Sequence, residues 1–489
     1  MDNHRWLLVL ASIVALIFIF RIIRAAYRTH FHPLAKFPGP PQAASSTSWM
    51  YKTLKSGSAS EYFQKLHTKY NTQALRIAPN ELHISDPLQY KFIYGTRSFV
   101  KQPAFYKGFG VPHNVFTEID PEVHKQRRRM MSPLFTRTGI FRLEPVVQNK
   151  VRYLLREIDA LGGKKTVDVY HAFRCVTAEI ILEFSLGKSP DLSFKSDPPL
   201  IDVFAGVTRN IWALHQWPIL NYIRTIIPAS LIGYIHPGAA YSIGFMAYAE
   251  DRLREYYESQ QGEKTHPVLC DNMSSLPYKW QVEEVMNLIA AGHGTTATTV
   301  AFSLAQILQN RKIRDKLVHA LQGIKPDSKG ELILSELEKI DYLMACIKES
   351  LRCAPAVPGR LPRIVPRDLA HPFLVDGKVV PPGTSVSISA YIMHYNEDLW
   401  GPDVRTFNPD RWMGPDSKQL DQYLCAFSYG SRMCIGYNLA YAEMLIIMGY
   451  LFKFYKMSLS TDYHLPNPVD RFVLEYPDPP GVHIMFERS

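Results

Sequence analysis

The sequence predicts a mainly α-helical fold with a minor β part, in which one large domain follows an N-terminal membrane helix. Three observations predict this class. An apolar run lies near the N-terminus, apolar residues recur at helical spacing through most of 121–325, and strand-like pieces flank that region. The 489 residues are 46% hydrophobic and 20% charged, so the chain has ample apolar material for a large core.

The N-terminal apolar segment is long enough to cross a bilayer. The run WLLVLASIVALIFIF (6–20) is followed by Arg21, whose long side chain can reach the membrane surface, so 6–23 can span the hydrocarbon region. A cleaved secretory signal is one alternative, but no small-residue cleavage site follows and the flank is rich in arginine. A buried core helix is the other alternative and fits this position less well.

The flanking charges predict the orientation of this segment. Arg21, Arg24 and Arg28 follow it, whereas Arg5 precedes it. Because positive flanks stay on the cytosolic side, the rest of the chain is predicted to be cytosolic. We therefore predict a transmembrane anchor over 1–28.

A proline-rich stretch separates the anchor from the remaining chain. The segment HPLAKFPGPP (32–41) cannot continue a helix and favours a stiff, extended conformation. We predict a linker over 29–42 and one large domain over 43–489.

Helices dominate the predicted domain. Segments 58–72 and 83–96 indicate mixed helix and strand. Because apolar residues recur every three or four positions, helices are predicted within 121–325 and again before Pro355. These predicted helices cover 143–160, 171–186, 240–260, 281–310, 312–322 and 335–353.

The C-terminal part mixes strands, loops and one helix. FLVDGKVV (373–380) carries the Asp-Gly signal of a tight hairpin. A glycine- and proline-rich loop is predicted over 401–433. A helix should then begin close to Cys434 and run to about 455, with short strands after it.

Charge and cysteine usage exclude several classes of protein. The formal net charge of +10 could suit nucleic acid, anionic lipid or an acidic protein partner, but no nucleic-acid-binding signature accompanies it. We therefore predict no nucleic-acid partner. Six cysteines are widely spaced without a C-x-x-C pair, which argues against a disulfide framework and a structural zinc site.

The segment FSYGSRMCIG (427–436) places one cysteine, Cys434, between glycines. Glycines allow sharp bends that bring backbone amides toward a sulfur, and a helix that begins just after the cysteine would stabilise a thiolate. Phe427 would shield the sulfur from water, and Arg432 could pair with an acidic group of a bound cofactor. A buried structural cysteine in a glycine turn is the alternative.

These residues resemble the haem-binding loop of the cytochrome P450 family, the haem-thiolate monooxygenases. Phe427, Gly430, Arg432, Cys434 and Gly436 match its F-x-x-G-x-R-x-C-x-G pattern. The resemblance implies the fold of that family and haem b as cofactor, with the Cys434 thiolate as the axial iron ligand. The proline-rich FPGPP (37–41) also matches, at the expected start of the catalytic domain.

Two further matches concern structural pairing. Glu349 and Arg352, in ESLR, lie three residues apart and share a helix face. Arg411, in FNPDRW (407–412), stands where the family has the residue that joins them. The resemblance implies a buried, mutually paired cluster of three charges with a folding role.

A long apolar helix carries a segment similar to the family's A-G-x-acid-T-T motif. Ala291 and Gly292 would let the helix pass close to the haem. Thr295 and Thr296 are the predicted catalytic residues, because a threonine hydroxyl bonded to the helix backbone can open a groove for dioxygen and water. Ordinary packing threonines are the alternative.

The chain departs from this motif at Gly294, which stands where the family has an acid. A carboxylate there relays protons, so water or His293 would have to substitute. This departure keeps open a haem-thiolate isomerase or dehydratase that needs no reductase. A non-catalytic haem-binding protein is a further alternative.

Basic residues are predicted to pair with the haem carboxylates. The resemblance implies His124 and Arg128, four residues apart on one helix, together with Arg363 and Arg432. Arg127 and Arg129 are expected to face solvent.

The resemblance also implies partners and location. No flavin or nicotinamide fingerprint is present, so electrons should come from an NADPH-cytochrome P450 reductase that carries FAD and FMN, docked on the basic surface near Lys125. The membrane is expected to be that of the endoplasmic reticulum.

The substrate is expected to be an apolar small molecule. HPLAKFPGP (32–40) and NELHISDP (80–87) resemble fungal members of the trichothecene-pathway type, which oxidise terpenoid or polyketide skeletons in secondary metabolism. The candidate pocket residues are Phe105, Tyr106, Phe116, Asn287, Ala291 and 356–358.

Overall fold

The computed structural model of the chain divides into two compact units. The first contains Met1–Gln102 and Arg360–Ser389, and the second contains Pro103–Gly359 and Ala390–Ser489. The structure describes residues 2–163, 165–194, 199–219, 227, 231, 237–259, 266–459, 466–477 and 481–489.

The first unit begins with the predicted apolar helix. Within a 26-residue segment, Trp6–Phe31, an 18-residue window has a mean hydropathy of 2.7 and is exposed throughout. Its length and composition are those of a membrane-crossing helix. The helices of this unit are α1 (Asp2–Ala26), a π-helical turn (Tyr27–Phe31), α2 (Pro41–Ser45), α3 (Thr47–Lys55), α4 (Ala59–Tyr70) and α5 (Leu88–Gly95).

A four-stranded sheet and a hairpin complete the first unit. The sheet has the order β1-β2-β7-β4, with β2 and β7 parallel. The predicted hairpin is confirmed, since Asp376 and Gly377 join its strands with positive φ angles of 57° and 69°. The strands are β1 (Ala74–Ala78), β2 (Glu81–Ile84), β4 (Arg363–Ile364), β5 (Leu374–Val375), β6 (Lys378–Val379) and β7 (Ser385–Ser387).

The second unit is built from helices. They are α6 (Pro103–Lys107), α7 (Pro121–Phe135), α8 (Arg137–Asp159), α9 (Val169–Leu186), α10 (Pro199–Gln216), α11 (Pro237–Glu258), α12 (Tyr278–Gln309), α13 (Arg311–Leu321), α14 (Leu334–Leu337), α15 (Asp341–Cys353), α16 (Ala390–His394), α17 (Glu397–Trp400), α18 (Ser417–Asp421) and α19 (Tyr437–Phe454). Short 3₁₀ turns occur at Leu269–Met273, Pro409–Trp412 and Gly430–Arg432.

Local sequence explains where several of these helices begin and end. The Asp120 carboxylate caps α7 by accepting bonds from the amides of Glu122 and Val123, and Pro121 occupies the first turn. Asp168 caps α9 in the same way. Gly187 ends α9 with a φ of 73°, a conformation that favours glycine.

The longest helix, α12, runs through the main hydrophobic core of this unit. It packs along α9 and also contacts α11, α15 and α19. Gly292 allows the close approach to α9, because a Cβ at this position would lie 2.7 Å from Ile181. We expected Gly292 to make room for a flat ligand; the contact with Ile181 assigns its small size to helix packing.

Strands form a minor part of the second unit. A three-stranded sheet has the order β3-β11-β8, and β9 pairs with β10. Phe472 joins β9 to β10 with a φ of 76°, an unusual conformation for a bulky residue. The strands are β3 (Val167–Asp168), β8 (Tyr455–Leu459), β9 (Val469–Arg471), β10 (Val473–Glu475) and β11 (His483–Arg488).

Most of the predicted helices are confirmed, with shifted ends. The prediction over 335–353 was wrong in its first turn, because α14 ends at Leu337 and α15 begins at Asp341. The predicted loop over 401–433 contains two 3₁₀ turns and α18. The predicted end of α11 at position 260 lies outside the described residues.

Candidate functional site

The loop that carries Cys434 turns sharply and leaves the thiol uncovered. Gly430 has a φ of 75°, which a residue with a Cβ adopts with strain. The Cys434 amide donates to the Phe427 carbonyl oxygen at 2.9 Å, which closes the loop. Cys434 is exposed, whereas Cys175, Cys270, Cys346 and Cys425 are buried.

The helix that follows is positioned to stabilise a thiolate. Helix α19 begins at Tyr437, and the Gly436 amide donates to the Cys434 sulfur. A Cβ at Gly436 would lie 3.8 Å from that sulfur, so glycine keeps the approach open. Although the Cys434 side chain is exposed, the surrounding protein atoms raise the pKa of its thiol by desolvation, while the Gly436 amide and the charge of Arg128 lower it. The thiolate therefore depends on the Gly436 donor, on the charge of Arg128 and on any cation that it binds.

Phe427 shields this loop within an aromatic cluster. Its ring centroid lies 4.8 Å from that of Tyr437 and 5.6 Å from that of Tyr441. Both tyrosines are in the first two turns of α19, so the cluster fixes the loop against the helix.

Two of the predicted arginines contact the segments around Cys434. Arg128 donates to the Met433 carbonyl oxygen at 2.7 Å. Arg432 donates to the carbonyl oxygens of Glu118 and Ile119, at 2.6 and 3.0 Å. The structure thus brings Arg128, Arg432 and Cys434 together.

The other two predicted basic residues are buried. His124 lies in α7, one turn before Arg128. Arg363 lies in β4 of the first unit, where it donates to the carbonyl oxygens of Leu361 and Pro362. Their pairing with haem carboxylates stays a prediction.

The expectation that Arg127 faces solvent was wrong. Arg127 is 2% exposed and donates to the His113 carbonyl oxygen at 2.9 Å. Its guanidinium lies 3.7 Å from Glu284 and 4.6 Å from the centre of the Trp280 ring. One arginine in a run of basic residues can be buried while its neighbours are exposed, because successive residues of a helix are turned by about 100° around its axis.

Glu349, Arg352 and Arg411 form the predicted cluster. Arg352 binds Glu349 through two bonds of 2.8 and 2.9 Å, and both side chains are fully buried. Arg411 lies 3.6 Å from the same carboxylate. The Trp412 indole and the Asn408 amide also donate to Glu349. The carboxylate therefore connects α15 with the segment around Pro409–Trp412.

One stripe of α12 is left uncovered by the protein's own side chains. Ala291 is exposed in the middle of this otherwise buried helix, and Asn287 and Thr295 keep partial exposure. These three residues are four apart and share one face. The Thr295 hydroxyl donates to the Ala291 carbonyl oxygen at 2.8 Å, as the motif predicts.

Thr296 differs from Thr295 in its surroundings. It is 4% exposed, and its hydroxyl is hydrogen-bonded to the Glu443 carboxyl in α19. Burial raises the pKa of Glu443 to about 8, which the Thr296 bond opposes. The structure gives Thr296 the role of joining α12 to α19. Sequence reasoning missed Glu443, although an acid in the apolar run NLAYAEMLII was a signal.

His293 is not placed to replace the missing acid. It is fully buried, its Nδ1 is bonded to the Ile289 carbonyl oxygen, and its ring packs edge-on against Phe204 at 4.0 Å. Burial lowers the pKa of His293 to about 3. We therefore correct the suggestion that His293 relays protons.

The candidate pocket residues belong to a larger aromatic group in the second unit. Phe105 and Tyr106 are buried in α6, and Phe116 is partly exposed. Ring contacts join all three to one another and to Phe472 in the β9–β10 turn, directly or through one intermediate ring. Sequence reasoning missed Phe109, Trp212, His215 and Phe472 as members of this group.

The remaining pocket candidates are held by hydrogen bonds, through the side chain at Asn287 and through the backbone at 356–358. Asn287 contacts the Glu284 carboxylate at 3.4 Å. The Ala356 carbonyl oxygen accepts the Leu474 amide at 2.8 Å, and the Pro358 carbonyl oxygen accepts the Tyr391 amide at 3.0 Å. These bonds fix 356–358 against β10 and α16.

The residues present fit a flat, metal-bearing cofactor with acidic groups. The uncovered Cys434 sulfur with an amide donor is a thiolate ligand, the Ala291 stripe is an apolar face, and Arg128 and Arg432 are cationic. Haem has the matching properties: an iron that binds thiolate, an apolar ring and two carboxylates.

Comparisons with known proteins agree with this chemistry. A model of the cytochrome P450 family matches residues 38–484. Cytochrome P450 monooxygenase macH of Penicillium terrestre is 31% identical, with 90% of each chain covered. Cytochrome P450 monooxygenase aneF of Aspergillus aculeatus is also 31% identical, over 90% of this chain and 92% of the relative. Cytochrome P450 monooxygenase cloA of Claviceps purpurea is 29% identical, over 96% and 94%.

These relatives are named monooxygenases, which favours this reaction over the isomerase, the dehydratase and the non-catalytic haem protein. The matched residues include the uncovered cysteine, the grooved helix α12 and the buried charge cluster. The chain therefore belongs to the cytochrome P450 family and is a haem-thiolate monooxygenase.

Proposed function

We propose that this enzyme inserts one oxygen atom of O2 into an apolar small molecule of the terpenoid or polyketide type, in fungal secondary metabolism. The uncovered sulfur of Cys434, beside the Gly436 amide at the start of α19, is the observation that carries the site assignment. The fungal relatives support the biological setting.

Cys434 is the proposed axial ligand, and Arg128, Arg432, His124 and Arg363 are the proposed partners of the haem carboxylates. When bound, haem supplies the activation of dioxygen with electrons that come from NADPH. Phe427 and its tyrosine neighbours would hold the cysteine loop against α19. Gly430 and Gly436 hold the loop open for the ligand.

Thr295 is the proposed catalytic residue on α12, where it would act on oxygen and water at the bound haem. Its hydroxyl, bonded to the Ala291 carbonyl oxygen, presents an oxygen atom at the uncovered stripe of α12. There it orients water and passes a proton. Thr296 supports this helix through Glu443.

The electron donor is proposed to be an NADPH-cytochrome P450 reductase that carries FAD and FMN. Lys125 is exposed in α7, and Arg137 and Lys348 line a groove of about 280 Å³ beside Tyr437 and Asn438. Arg137 pairs with Glu338 and Lys348 pairs with Asp421, so the proposed docking surface for an acidic partner is the exposed basic face of α7, with Lys125 and Arg129.

The enzyme is proposed to reside in the membrane of the endoplasmic reticulum with its catalytic part in the cytosol. The exposed apolar helix Trp6–Phe31 supports an anchor, and Arg21, Arg24 and Arg28 support the orientation. Removal of residues 1–31 should move the protein from microsomes to the soluble fraction. A truncated protein that stays in washed microsomes would contradict this anchor.

The substrate assignment is tested by disrupting the gene and identifying the metabolite that accumulates. That metabolite is then fed to microsomes that contain this protein and reductase. We expect an oxygenated product that requires NADPH and carries ¹⁸O from labelled O2. Product formed without any electron donor, or without label, would contradict a monooxygenase reaction on that compound.

A further inference from the structure

A cluster of buried polar atoms lies on the side of α12 that faces α9 and β10. Among the residues that the structure describes, Arg174 Nε and Glu475 Oε1 have no hydrogen-bond partner. Both side chains are at least nine-tenths buried. Unpartnered buried polar atoms are unfavourable, so a cluster of them indicates bound water.

Space for that water exists beside Gly294. The residue is buried, yet a Cβ added to it would meet no atom within 4 Å outside its own helix. Gly292, two residues earlier, contrasts with this, since its Cβ would collide with Ile181. The open volume therefore belongs to the position where the motif has an acid.

Hydroxyl groups connect this space to the buried cluster. The Thr298 hydroxyl lies 2.9 Å from the Gly294 carbonyl oxygen and 2.8 Å from the Leu474 carbonyl oxygen. Tyr170, in α9, is hydrogen-bonded to Thr298. The Arg174 guanidinium lies 5.4 Å from the centre of the Tyr170 ring.

The cluster also reaches solvent. Arg471 donates to Glu475 Oε2 at 3.0 Å, and the Arg471 side chain is 31% exposed. The Glu475 carboxylate also acts electrostatically on Tyr170, the residue that is bonded to Thr298. One oxygen atom of Glu475 is bonded and the other is available to water.

The space beside Gly294 also lies next to the uncovered stripe of α12 that contains Ala291 and Thr295. Successive helix residues are turned by about 100°, so Gly294 lies about 60° from Ala291 around the axis of α12. Thr295 is the next residue on the side of the stripe. A water molecule beside Gly294 can therefore contact both the Thr298 side and the Thr295 hydroxyl.

We propose that Glu475 relays protons from solvent to the Thr295 hydroxyl, through water beside Gly294 and the hydroxyls of Tyr170 and Thr298, in place of the missing carboxylate at position 294. This inference rests on the proposed role of Thr295. Monooxygenation consumes two protons per O2 as the second oxygen atom leaves as water. Glu475 Oε1 releases each proton inward and is reprotonated from solvent on the Arg471 side.

Other titratable groups near this route do not replace Glu475. His293 is a neutral imidazole at neutral pH and has no acidic proton to donate, since burial lowers its pKa to about 3. Burial raises the pKa of Tyr170 to about 12, so its hydroxyl keeps its proton and can only pass one along. Asp168 also acts electrostatically on Tyr170, but its carboxylate caps α9 by accepting the Tyr170 amide, whereas Glu475 Oε1 has no such bond.

The test uses the full-length enzyme with reductase, NADPH and the substrate found by gene disruption. Glu475→Gln should lower the product formed per NADPH about tenfold, with hydrogen peroxide released instead. Tyr170→Phe should act in the same direction. The matched control is Glu487→Gln, an exposed glutamate in β11, which should leave the ratio unchanged.

A rescue separates proton relay from a structural role. The open space at Gly294 accommodates a longer side chain, so Gly294→Asp should restore the ratio in the Glu475→Gln background. If Glu475 acts only as a structural residue, a carboxylate introduced at position 294 in α12 should not restore the product formed per NADPH. Failure of Gly294→Asp to restore coupling in a well-folded double variant would overturn the proposal.

A readout independent of turnover is the water structure. A high-resolution crystal structure of the haem-loaded protein should contain ordered water beside Gly294, bonded to Arg174 Nε and Glu475 Oε1. A dry, closed gap there would overturn the route, even if Glu475→Gln fails to fold. The reduced carbon-monoxide spectrum identifies failure of the haem site itself, because the relay variants should keep that band.

Discussion

The Thr295 hydroxyl is the residue-scale feature most directly linked to the reaction. Thr295→Ala should keep haem and substrate binding but lower the product formed per NADPH by about one to two orders of magnitude, because the group that orients water is lost. The measurement is the ratio of product to NADPH consumed, with hydrogen peroxide titrated in parallel.

Two control variants sharpen this prediction. Thr295→Ser keeps the hydroxyl and should keep most of the coupling. Thr299→Ala removes a hydroxyl that bonds the Thr295 carbonyl oxygen one turn later, and it should have little effect. Unaltered coupling in Thr295→Ala would show that protons reach the cofactor without this residue.

Glu443 gives a second residue-scale prediction, which concerns stability. Its pKa is about 8 in the folded protein, against an ordinary value of 4.5, because it is buried. The folded state therefore holds an extra proton between these values, and this contribution to stability is lost as the pH rises from 4.5 to 8. Glu443→Gln should remove this loss.

Urea denaturation of both proteins at several pH values is the corresponding measurement. The stability of Glu443→Gln relative to the unaltered protein should increase between pH 5 and pH 8. If the free energies of unfolding of the two proteins change in parallel with pH across this range, the buried carboxyl does not titrate there. Glu487→Gln, at an exposed position, serves as the control.

At the scale of elements, Glu349 joins α15 to the segment around Pro409–Trp412. Glu349→Ala leaves the fully buried Arg352 without its carboxylate, and we expect the free energy of unfolding to fall by about 3–5 kcal/mol. Arg411→Ala should lower it by about 1 kcal/mol, since Arg411 lies 3.6 Å from Glu349 and also binds the half-exposed Asp403.

Thermal and urea denaturation, with haem content measured alongside, would test this order. Equal losses in the two variants would contradict the central role of the Glu349–Arg352 pair. Lys348→Ala is a suitable control, because Lys348 lies on the same helix but pairs with Asp421 near the surface.

Arg127 holds a second junction, between α7 and the loop that contains Phe116. It donates to the His113 carbonyl oxygen, while Glu284 in α12 accepts the Val115 amide at 3.0 Å. Burial raises the pKa of Glu284 to about 7, which Arg127 opposes. Arg127→Gln should loosen this loop and raise KM more than it lowers kcat.

The matched control is Arg129→Gln, which removes an exposed charge two residues away. Substrate-induced spectral titration would report the change in affinity. If both variants bind substrate equally well, Arg127 does not position the pocket loop.

At the scale of the whole molecule, local patterns explain most of what the sequence predicted. The cysteine loop, the threonine pair and the Glu349–Arg352 spacing are short-range signals, and helices such as α9 and α12 follow from apolar periodicity. Tertiary contacts were harder to predict from the sequence. Thr295 and Thr296 are adjacent, yet only their partners in space distinguish an uncovered hydroxyl from one bound to Glu443.

The same reason explains the errors. Gly292 contacts Ile181, Arg127 contacts Glu284, and His293 contacts Phe204; in each case the partner is more than 80 residues away in the sequence. The cluster of Tyr170, Arg174 and Glu475 likewise combines residues about 300 positions apart. Such arrangements depend on packing, which residue spacing does not encode.

The predictions at all three scales depend on the identity of the iron ligand. The most direct measurement is the reduced carbon-monoxide difference spectrum of purified Cys434→Ser, compared with the unaltered protein and with Cys425→Ser, a buried cysteine nine residues earlier. We predict that the long-wavelength Soret band of a thiolate-bound haem persists in Cys425→Ser and disappears in Cys434→Ser. An undiminished band in Cys434→Ser would contradict the account.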